Sequence, residues 1–238
     1  MTIAFISDLH LSAERPSSIR LFCDFMEKSG CQLESLYILG DLFDYWIGDD
    51  ASSALGFDLA EQAIKHTTDS GTAVYFIAGN RDFLLGQDFA ARTGMILLPD
   101  QTVLEIADQR VMIAHGDQFC TDDTSYLAAR AQFLEPEWQR AFLQKSIEER
   151  KAIALDLRAQ SEVSKKRKPD ELMDVNQDEI QRVIESNDLD ILIHGHTHRP
   201  YVHQLEQNGK PCRRYVLGEW TNDRSVMYGN AGKYYLKK

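Results

Sequence analysis

The segment Ile3-Ala-Phe-Ile-Ser-Asp-Leu-His10 joins a short apolar run to a polar cluster, and the same unit recurs along the chain. A run of four or five apolar residues, rich in aliphatic and aromatic side chains, is typical of a strand buried in a sheet. Helices over 17–28 and 54–70 are predicted between the first three runs, and this alternation favours βαβ units and an α/β fold. The predicted strands are Ile3–Ile6, Leu36–Leu39, Val74–Ala78, Val111–Ala114 and Ile191–Ile193.

Polar side chains follow each predicted strand at its C-terminal end, the edge at which open α/β sheets bind ligands. The pairs in Asp8-Leu-His10 and His196-Thr-His198 are spaced i and i+2, so they point to the same side of an extended segment. Carboxylate, amide and imidazole groups suit Mn, Fe or Zn better than Ca, and seven of them are too many for one catalytic ion that also binds water. The set predicts two divalent ions bridged by a shared carboxylate, an arrangement used for phosphoester hydrolysis. The predicted ligands are Asp8, His10, Asp41, Asn80, His115, His196 and His198.

Other polar residues near these clusters have a simpler interpretation. A lone Asp or His at the end of a strand is usually a turn former or a helix cap. Some of them are instead expected to hold the ligands in place through hydrogen bonds. The residues interpreted in one of these two ways are Asp44, Asp49, Asp50, Asp82 and His194.

The composition limits the classes of function. The chain has 238 residues with 26 basic and 37 acidic side chains, a formal net charge of −11. Such a chain is a poor general binder of nucleic acid, because affinity there comes mainly from neutralising phosphates. No leader peptide is recognised, and the apolar runs are far shorter than the roughly 20 residues that cross a bilayer. We expect a cytoplasmic monomer with buried, reduced cysteines and no nucleic-acid partner.

The alternation of strands and helices is interrupted once. Residues 122–173 are predicted to form a helical insertion over the active site, and residues 1–121 and 174–238 to form the core. The part from 139 to 168 carries nine basic and four acidic side chains, so it is positive in an acidic protein. Four later runs are predicted to be antiparallel strands: Tyr201–Leu205, Arg214–Leu217, Ser225–Tyr228 and Lys233–Leu236.

Two sets of residues in the insertion have helical spacing. Ser161, Lys165 and Lys168 lie on one helical face, which spacing alone would assign to a solvated surface. Trp138 and Phe142 are spaced i and i+4. Such apolar pairs usually pack a helix on a core, and a channel for a ligand is the alternative.

The order of the polar clusters resembles that of the calcineurin-like metallophosphoesterase superfamily. The motifs Asp-x-His, Gly-Asp-x-x-Asp, Gly-Asn-x-Asp, His-Gly-Asp and Gly-His-x-His occur in this order within residues 5–200. The resemblance implies a four-layer α/β/β/α sandwich with a dinuclear metal site. It also implies two ligand sets: Asp8, His10, Asp41 and His198 for one ion, and Asp41, Asn80, His115 and His196 for the other.

Arg81 departs from the pattern of that superfamily, in which most members have His after the Asn and use it as an acid on the leaving group. An arginine does not donate a proton at useful pH, but it can bind phosphate through two parallel hydrogen bonds. This favours a leaving group that is stable as an anion, such as a phosphate released from a pyrophosphate. Arg81 and His196 are the candidate catalytic residues, because both would stabilise charge on phosphoryl oxygens.

A narrower resemblance, to the UDP-2,3-diacylglucosamine pyrophosphatase family of lipid A synthesis in Gram-negative bacteria, runs nearly end to end. It includes Trp46-Ile-Gly-Asp-Asp, Gly79-Asn-Arg-Asp-Phe-Leu-Leu-Gly, Cys120-Thr-Asp-Asp and Met173-Asp-Val-Asn. It implies water attack on the α-phosphorus, giving UMP and 2,3-diacylglucosamine 1-phosphate (lipid X). It also implies two Mn²⁺ ions, with Mg, Fe or Zn as alternatives, and peripheral association with the cytoplasmic face of the inner membrane. The implied substrate contacts are Asn80, Arg81, Asp123, Ser161, Lys165, Lys168 and His196.

Other functions are compatible with the same metal ligands. A broad metallophosphodiesterase or a nucleotide pyrophosphatase on soluble substrates would use the ions, and truncated acyl chains would not impair it. A nuclease is a further alternative, but no extended basic groove is indicated outside the insertion. A non-catalytic scaffold is disfavoured, because clustered polar groups are costly to bury without a ligand.

Overall fold

The structure is a computed structural model that describes residues 2–165, 174–220 and 225–237. The helices are α1 (Pro16–Lys28), α2 (Asp58–Asp69), α3 (Gln87–Thr93), α4 (Thr124–Leu134), α5 (Pro136–Leu143), α6 (Ile147–Lys165) and α7 (Gln177–Asn187). The strands are β1 (Thr2–Ile6), β2 (Ser35–Leu39), β3 (Ala73–Ile77), β4 (Ile96–Leu98), β5 (Gln101–Ile106), β6 (Gln109–Ala114), β7 (Ile191–His194), β8 (Tyr201–Gln207), β9 (Lys210–Val216), β10 (Val226–Asn230) and β11 (Lys233–Lys237).

The predicted elements of the first half are present. The five apolar runs form β1, β2, β3, β6 and β7, and the first predicted helix is α1. The second predicted helix, α2, begins at Asp58 rather than at 54. The residues before it form turns in which Gly56 has a φ of +78°, a left-handed conformation that cannot continue an α-helix.

The strands form two sheets. One has the order β11-β10-β1-β2-β3-β4, and the other β5-β6-β7-β9-β8. Strands β1 to β4 run parallel, while β10 pairs antiparallel with β1, with Thr2 opposite Asn230. The prediction of antiparallel C-terminal strands is wrong in one respect, because β9 is antiparallel to β8 but parallel to β7. The chain reverses after β7 and again in the β8–β9 hairpin, so β9 regains the direction of β7.

Three apolar clusters define four layers. Between the sheets, Phe5, Ile77 and Ile193 meet in a central core. Alternate residues of β1, such as Ile6, face the helices on the outer side of the first sheet. Helix α7 covers the other sheet with a buried stripe that includes Ile180. The layer order is therefore helix, sheet, sheet, helix, which confirms the predicted α/β/β/α sandwich.

The predicted insertion contains α4, α5 and α6, which follow β6 in the chain. Pro136 begins α5, where its missing N–H is not needed. Of the predicted substrate contacts, Lys168 and the side chain of Lys165 lie outside the described residues. No described helix combines the length and the apolar character needed to span a bilayer.

The four cysteines form no disulfide, but only half of them match the prediction of buried thiols. Cys120 and Cys212 are buried, whereas Cys23 and Cys31 are half-buried. Sequence alone could not separate the two pairs, because the exposure of Cys23 within α1 and of Cys31 in the short 3₁₀ helix after it depends on how these elements pack.

Candidate metal centre

The strand ends bring all seven predicted ligands to one edge of the sandwich. Asp8 and His10 follow β1, Asp41 follows β2 and Asn80 comes soon after β3. The other three ligands come from the second sheet: His115 follows β6, and His196 and His198 follow β7. Because β1, β2 and β3 are parallel to one another, and β6 to β7, their carboxyl ends coincide within each sheet.

One group of possible metal-binding atoms comprises Asp8, His10 and His198, with ligand atoms within 4.8 Å of one another. Nε2 of His198 lies 3.3 Å from Asp8 Oδ1 and 3.2 Å from Nε2 of His10. Two imidazole nitrogens and a carboxylate oxygen thus converge on one point. Such a donor set suits a divalent transition metal ion.

A second group comprises Asp8, Asp41 and His115. Nε2 of His115 lies 3.7 Å from Asp41 Oδ1 and 3.1 Å from Asn80 Oδ1. The ring of His196 lies edge-on to that of His115, with centroids 5.1 Å apart. Asp8 belongs to both groups, whereas Asp41, the carboxylate predicted to be shared, belongs to one of them and lies 3.8 Å from Nδ1 of His10.

The backbone at the ligands is strained. Among the described residues, ten non-glycine residues have a positive φ, and five of these are predicted ligands: Asp8, His10, Asp41, His196 and His198. The left-handed region is costly for residues with a Cβ, and it persists where surrounding contacts enforce it, often at functional sites. Gly195 permits one close approach, because a Cβ there would overlap Ser7 Oγ and Asp8 Oδ2.

Hydrogen bonds fix the orientation of two histidines. Nδ1 of His115 donates to Leu39 O at 2.8 Å, which turns its Nε2 toward the site. Nδ1 of His198 lies 3.1 Å from Glu219 Oε2, which turns its Nε2 toward Asp8. Nδ1 of His10 is buried and has no hydrogen-bond partner among the described residues. These buried, convergent nitrogen and oxygen atoms fit a divalent cation.

The electrostatics of the site agree with that fit. Burial, aided by the charge of Arg81, lowers the pKa of His10 to about 2, so this imidazole is neutral and able to bind a metal. Burial also lowers the pKa of His196 to about 3. For His115, burial is outweighed by the carboxylates of Asp41 and Asp8, which raise its pKa to about 9. The carboxylates that attract this proton would equally attract a metal cation.

Of the carboxylates interpreted as turn formers or as partners of the ligands, Asp82 holds ligand-bearing loops, whereas Asp44 contacts the candidate catalytic residue Arg81. Asp82 is fully buried and accepts hydrogen bonds from the backbone N–H groups of Asp41, Leu42 and Gly79, so it joins two ligand-bearing loops. Asp44 accepts from Arg81 at 2.8 Å. His194 is buried next to the ligands, but its Nδ1 contacts only the carbonyl of Gly195.

A cavity of about 630 Å³ opens beside the ligands. Its polar side includes Asn80, Arg81, Asp123, Ser161, His196 and His198. Its apolar side is formed by Phe83, Phe133, Trp138, Phe142 and Leu157. The pair packs on the core, since Phe142 is buried there, and the stacked Trp138 and Phe142 rings also line the cavity.

Asp123 has a structural contact within the protein. Its Oδ1 accepts from Tyr126 N at 3.0 Å and from Ser125 Oγ at 2.8 Å, so it caps α4. It also lines the cavity, as do Tyr126 and Ser161. The predicted substrate contacts with described side chains therefore all border one space.

The sequence analysis missed Glu219 and Arg158. Glu219 lies three residues after the end of β9 and directly follows Gly218. The search for polar residues after predicted strands would therefore have found it. Arg158 contacts Asp44, 114 residues away, and no spacing rule predicts such a pair.

Comparisons with known proteins identify the family. The family model described as calcineurin-like phosphoesterase matches residues 1–200. A UDP-2,3-diacylglucosamine hydrolase of Enterobacter sp. (strain 638) is 48% identical over 227 residues, which are 95% of this chain and 94% of the relative. A second relative of that name, from Cellvibrio japonicus (strain Ueda107), is 45% identical and covers 92% of this chain and 91% of its own length.

Among solved structures, a novel archaeal phosphodiesterase matches all of this chain and 99% of its own, with 15% identity and a TM-score of 0.50. That likeness concerns the fold alone. The family match covers the strand ends that carry the seven convergent side chains. The chain therefore belongs to the calcineurin-like phosphoesterase family, as a metal-dependent hydrolase of the same group as these curated relatives.

Proposed function

We propose that this protein hydrolyses the pyrophosphate bond of UDP-2,3-diacylglucosamine, with water attacking the α-phosphorus. The products would be UMP and 2,3-diacylglucosamine 1-phosphate. The two curated relatives described above are named for this substrate. The observation that carries the proposal is the cavity, in which a polar side at the predicted metal ligands continues into an aromatic and aliphatic side.

The apolar side of the cavity suits acyl chains. Phe133 packs on Trp138 at 4.9 Å between ring centroids, and Trp138 stacks on Phe142 at 5.1 Å. These rings come from α4 and α5, so the predicted insertion supplies much of this wall. Acyl chains of a lipid would bury apolar area there at roughly 25 cal/mol per Å². We therefore propose that residues 122–173 act as a lid over the site.

The seven predicted ligands would hold two divalent ions, Mn²⁺ in our proposal. Bound there, such ions supply positive charge and an activated water near neutral pH. Arg81 is placed to bind an oxygen of the departing phosphate, and its guanidinium stays charged throughout. His196 lines the cavity with its ring centroid 5.1 Å from that of His115, and its imidazole would contact a phosphoryl oxygen there. No proton donor is needed for a phosphate leaving group.

We propose peripheral binding to the cytoplasmic face of the inner membrane, where such a lipid would lie. Leu155 and Val163 on α6 are 42% and 50% exposed. Basic residues of the same helix, such as Lys151, would favour anionic headgroups. Flotation with phosphatidylglycerol vesicles should carry the protein upward, and phosphatidylcholine vesicles should not. Equal behaviour with both vesicles would contradict this assignment.

The function is tested with purified protein, Mn²⁺, UDP-2,3-diacylglucosamine and ¹⁸O-labelled water. Labelled UMP is expected, because the label enters at the phosphorus that water attacks. A matched substrate with truncated acyl chains should be hydrolysed far more slowly, since it leaves the apolar side of the cavity empty. Slow lipid turnover together with fast cleavage of bis-p-nitrophenyl phosphate would show a phosphodiesterase of soluble substrates instead.

A further inference from the structure

A row of alternating charges runs from the predicted metal site to α6. Nε of Arg81 lies 3.4 Å from Asp41 Oδ2, and its Nη1 donates to Asp44 Oδ1 at 2.8 Å. The other oxygen of Asp44 accepts from Nη1 of Arg158 at 2.5 Å. One carboxylate thus contacts two guanidinium groups, one from the core and one from the helix.

Backbone hydrogen bonds within the core fix the main chain at Asp44. Its backbone N–H donates to Leu11 O at 2.9 Å, and the N–H of Trp46 donates to Arg81 O at 2.9 Å. The side chain of Asp44 is only 10% exposed. Because this loop is held on both sides, the backbone of Asp44 has a fixed position. Helix α6 brings the guanidinium of Arg158 to the carboxylate of Asp44.

Helix α6 has a second ionic contact with the core, which serves for comparison. Arg150 donates to Asp50 Oδ2 at 2.5 Å and also to the carbonyl of Ile47. Eight residues separate Arg150 from Arg158, about two helical turns, so both arginines lie on one face. Arg158 and Asp44 line the cavity, whereas Asp50 and Arg150 are not among its described lining residues.

We propose that Asp44 is a positioning residue that couples the orientation of the Arg81 side chain to the packing of α6 on the core. Among the described residues, Asp41 is the other carboxylate near this guanidinium, and Asp41 is a predicted metal ligand. Asp44 therefore draws Arg81 away from the metal ligand, and Arg158 keeps Asp44 turned toward the cavity. The inference deepens the proposed function, because the acylated substrate is the ligand that would contact α6 and Arg81 together.

The test compares Asp44→Asn with Asp50→Asn, which removes the same charge from the other contact of α6. Both are assayed on bis-p-nitrophenyl phosphate and on UDP-2,3-diacylglucosamine, and Mn²⁺ binding is measured by titration calorimetry.

Asp44→Asn should lower kcat on the small diester by about tenfold or more with a smaller change in KM, because misplacing a binding group is costly. It should also weaken Mn²⁺ binding, because Arg81 would then have Asp41 as its remaining carboxylate partner among the described residues. Asp50→Asn should speed hydrogen exchange of the backbone amides in α6. It should leave kcat on the small diester and the Mn²⁺ affinity close to those of the parent.

Arg158→Gln and the double variant with Asp44→Asn complete the comparison. The loss of kcat/KM on the lipid substrate in the double variant should be smaller than the product of the two single losses, because both residues act through one network. Independent effects, or equal effects of Asp44→Asn and Asp50→Asn, would overturn the proposal. Should Asp44→Asn not fold, Arg158→Gln against Asp50→Asn makes the same comparison. If the parent cleaves only the small diester, the proposed function fails, while kcat on that diester and Mn²⁺ binding still decide the role of Asp44.

Discussion

Arg81 is the residue on which the proposed preference for a phosphate leaving group depends. It lies between Asp41 and Asp44, is 17% exposed and lines the cavity. In the proposed reaction, a permanently charged group at this point would stabilise a departing phosphate but could not protonate an alkoxide. Substrates with a phosphate leaving group should therefore be strongly preferred over simple alkyl diesters.

Replacing Arg81 by Ala should lower turnover by about 10²-fold, because one charge-stabilising contact is lost. The Mn²⁺ content, measured by elemental analysis, should not fall. Asp41→Ala should lose metal and activity together. Arg92→Ala, which breaks an exposed pair with Glu61, is the matched control and should keep the parent rate. Loss of metal in Arg81→Ala would mean that Arg81 supports the ligands rather than the substrate.

Glu219 orients His198 from a half-exposed position, with 42% of its side chain accessible. Substitution of such a partner of a metal-binding histidine typically weakens metal affinity by about tenfold or more. We expect Glu219→Gln to raise the Mn²⁺ dissociation constant by about that factor in a calorimetric titration. Glu105→Gln, the same change in an exposed pair with Arg110, should leave it unaltered. Unchanged affinity in Glu219→Gln would indicate that the contact is incidental.

At the scale of elements, α7 is held by a side-chain cap and a buried stripe. Asn176 Oδ1 accepts from Glu179 N at 2.9 Å, and Ile180, Val183 and Ile184 pack beneath β6 and β7. Asn176→Ala should lower the free energy of unfolding by about 1 kcal/mol in urea titrations, because a helix N–H loses its acceptor. Asn176→Ser, which keeps an acceptor, should lose much less. Equal losses would contradict the capping role.

Helix α5 presents different faces to the cavity and to solvent. Trp138 lines the cavity, while Leu143 is 41% exposed. Trp138→Ala should raise KM for the acylated substrate and leave KM for bis-p-nitrophenyl phosphate near the parent value. Leu143→Ala should change neither. The result that would count against an acyl-binding wall is an equal loss on both substrates in Trp138→Ala.

The elements show how far sequence reasoning reaches. Local apolar runs predicted β1, β2, β3, β6 and β7, and polar residues follow each of these strands, directly after a glycine at Asp41, Asn80 and His196. The parallel pairing of β9 with β7 was not predicted, because it depends on a crossover that local pattern does not encode. The contact of Asp44 with Arg158 was missed for the same reason, since it joins distant segments through the tertiary fold.

At the scale of the whole molecule, the predicted ligands hold the two sheets together at one edge. Metal binding should therefore stabilise the entire fold. At a Mn²⁺ concentration of about 100 times its dissociation constant the gain is about 2.7 kcal/mol, or about 5–10 °C in Tm for a chain of this size. Chelation with EDTA should reverse the shift in a thermal melt. Asp41→Ala should show no such shift, and a full shift in that variant would place the ions elsewhere.

The pairing of β1 with β10 bears on the timing of biosynthesis. Thr2 lies opposite Asn230, so β1, which is synthesised well before β10, waits for that strand before its sheet is complete. The loop that carries Asp8 and His10 follows β1 directly, and the N–H of Trp220 donates to the carbonyl oxygen of Asp8. Nascent chains arrested before residue 220 should thus lack a finished metal centre, and the enzyme would become active only after translation has passed that point.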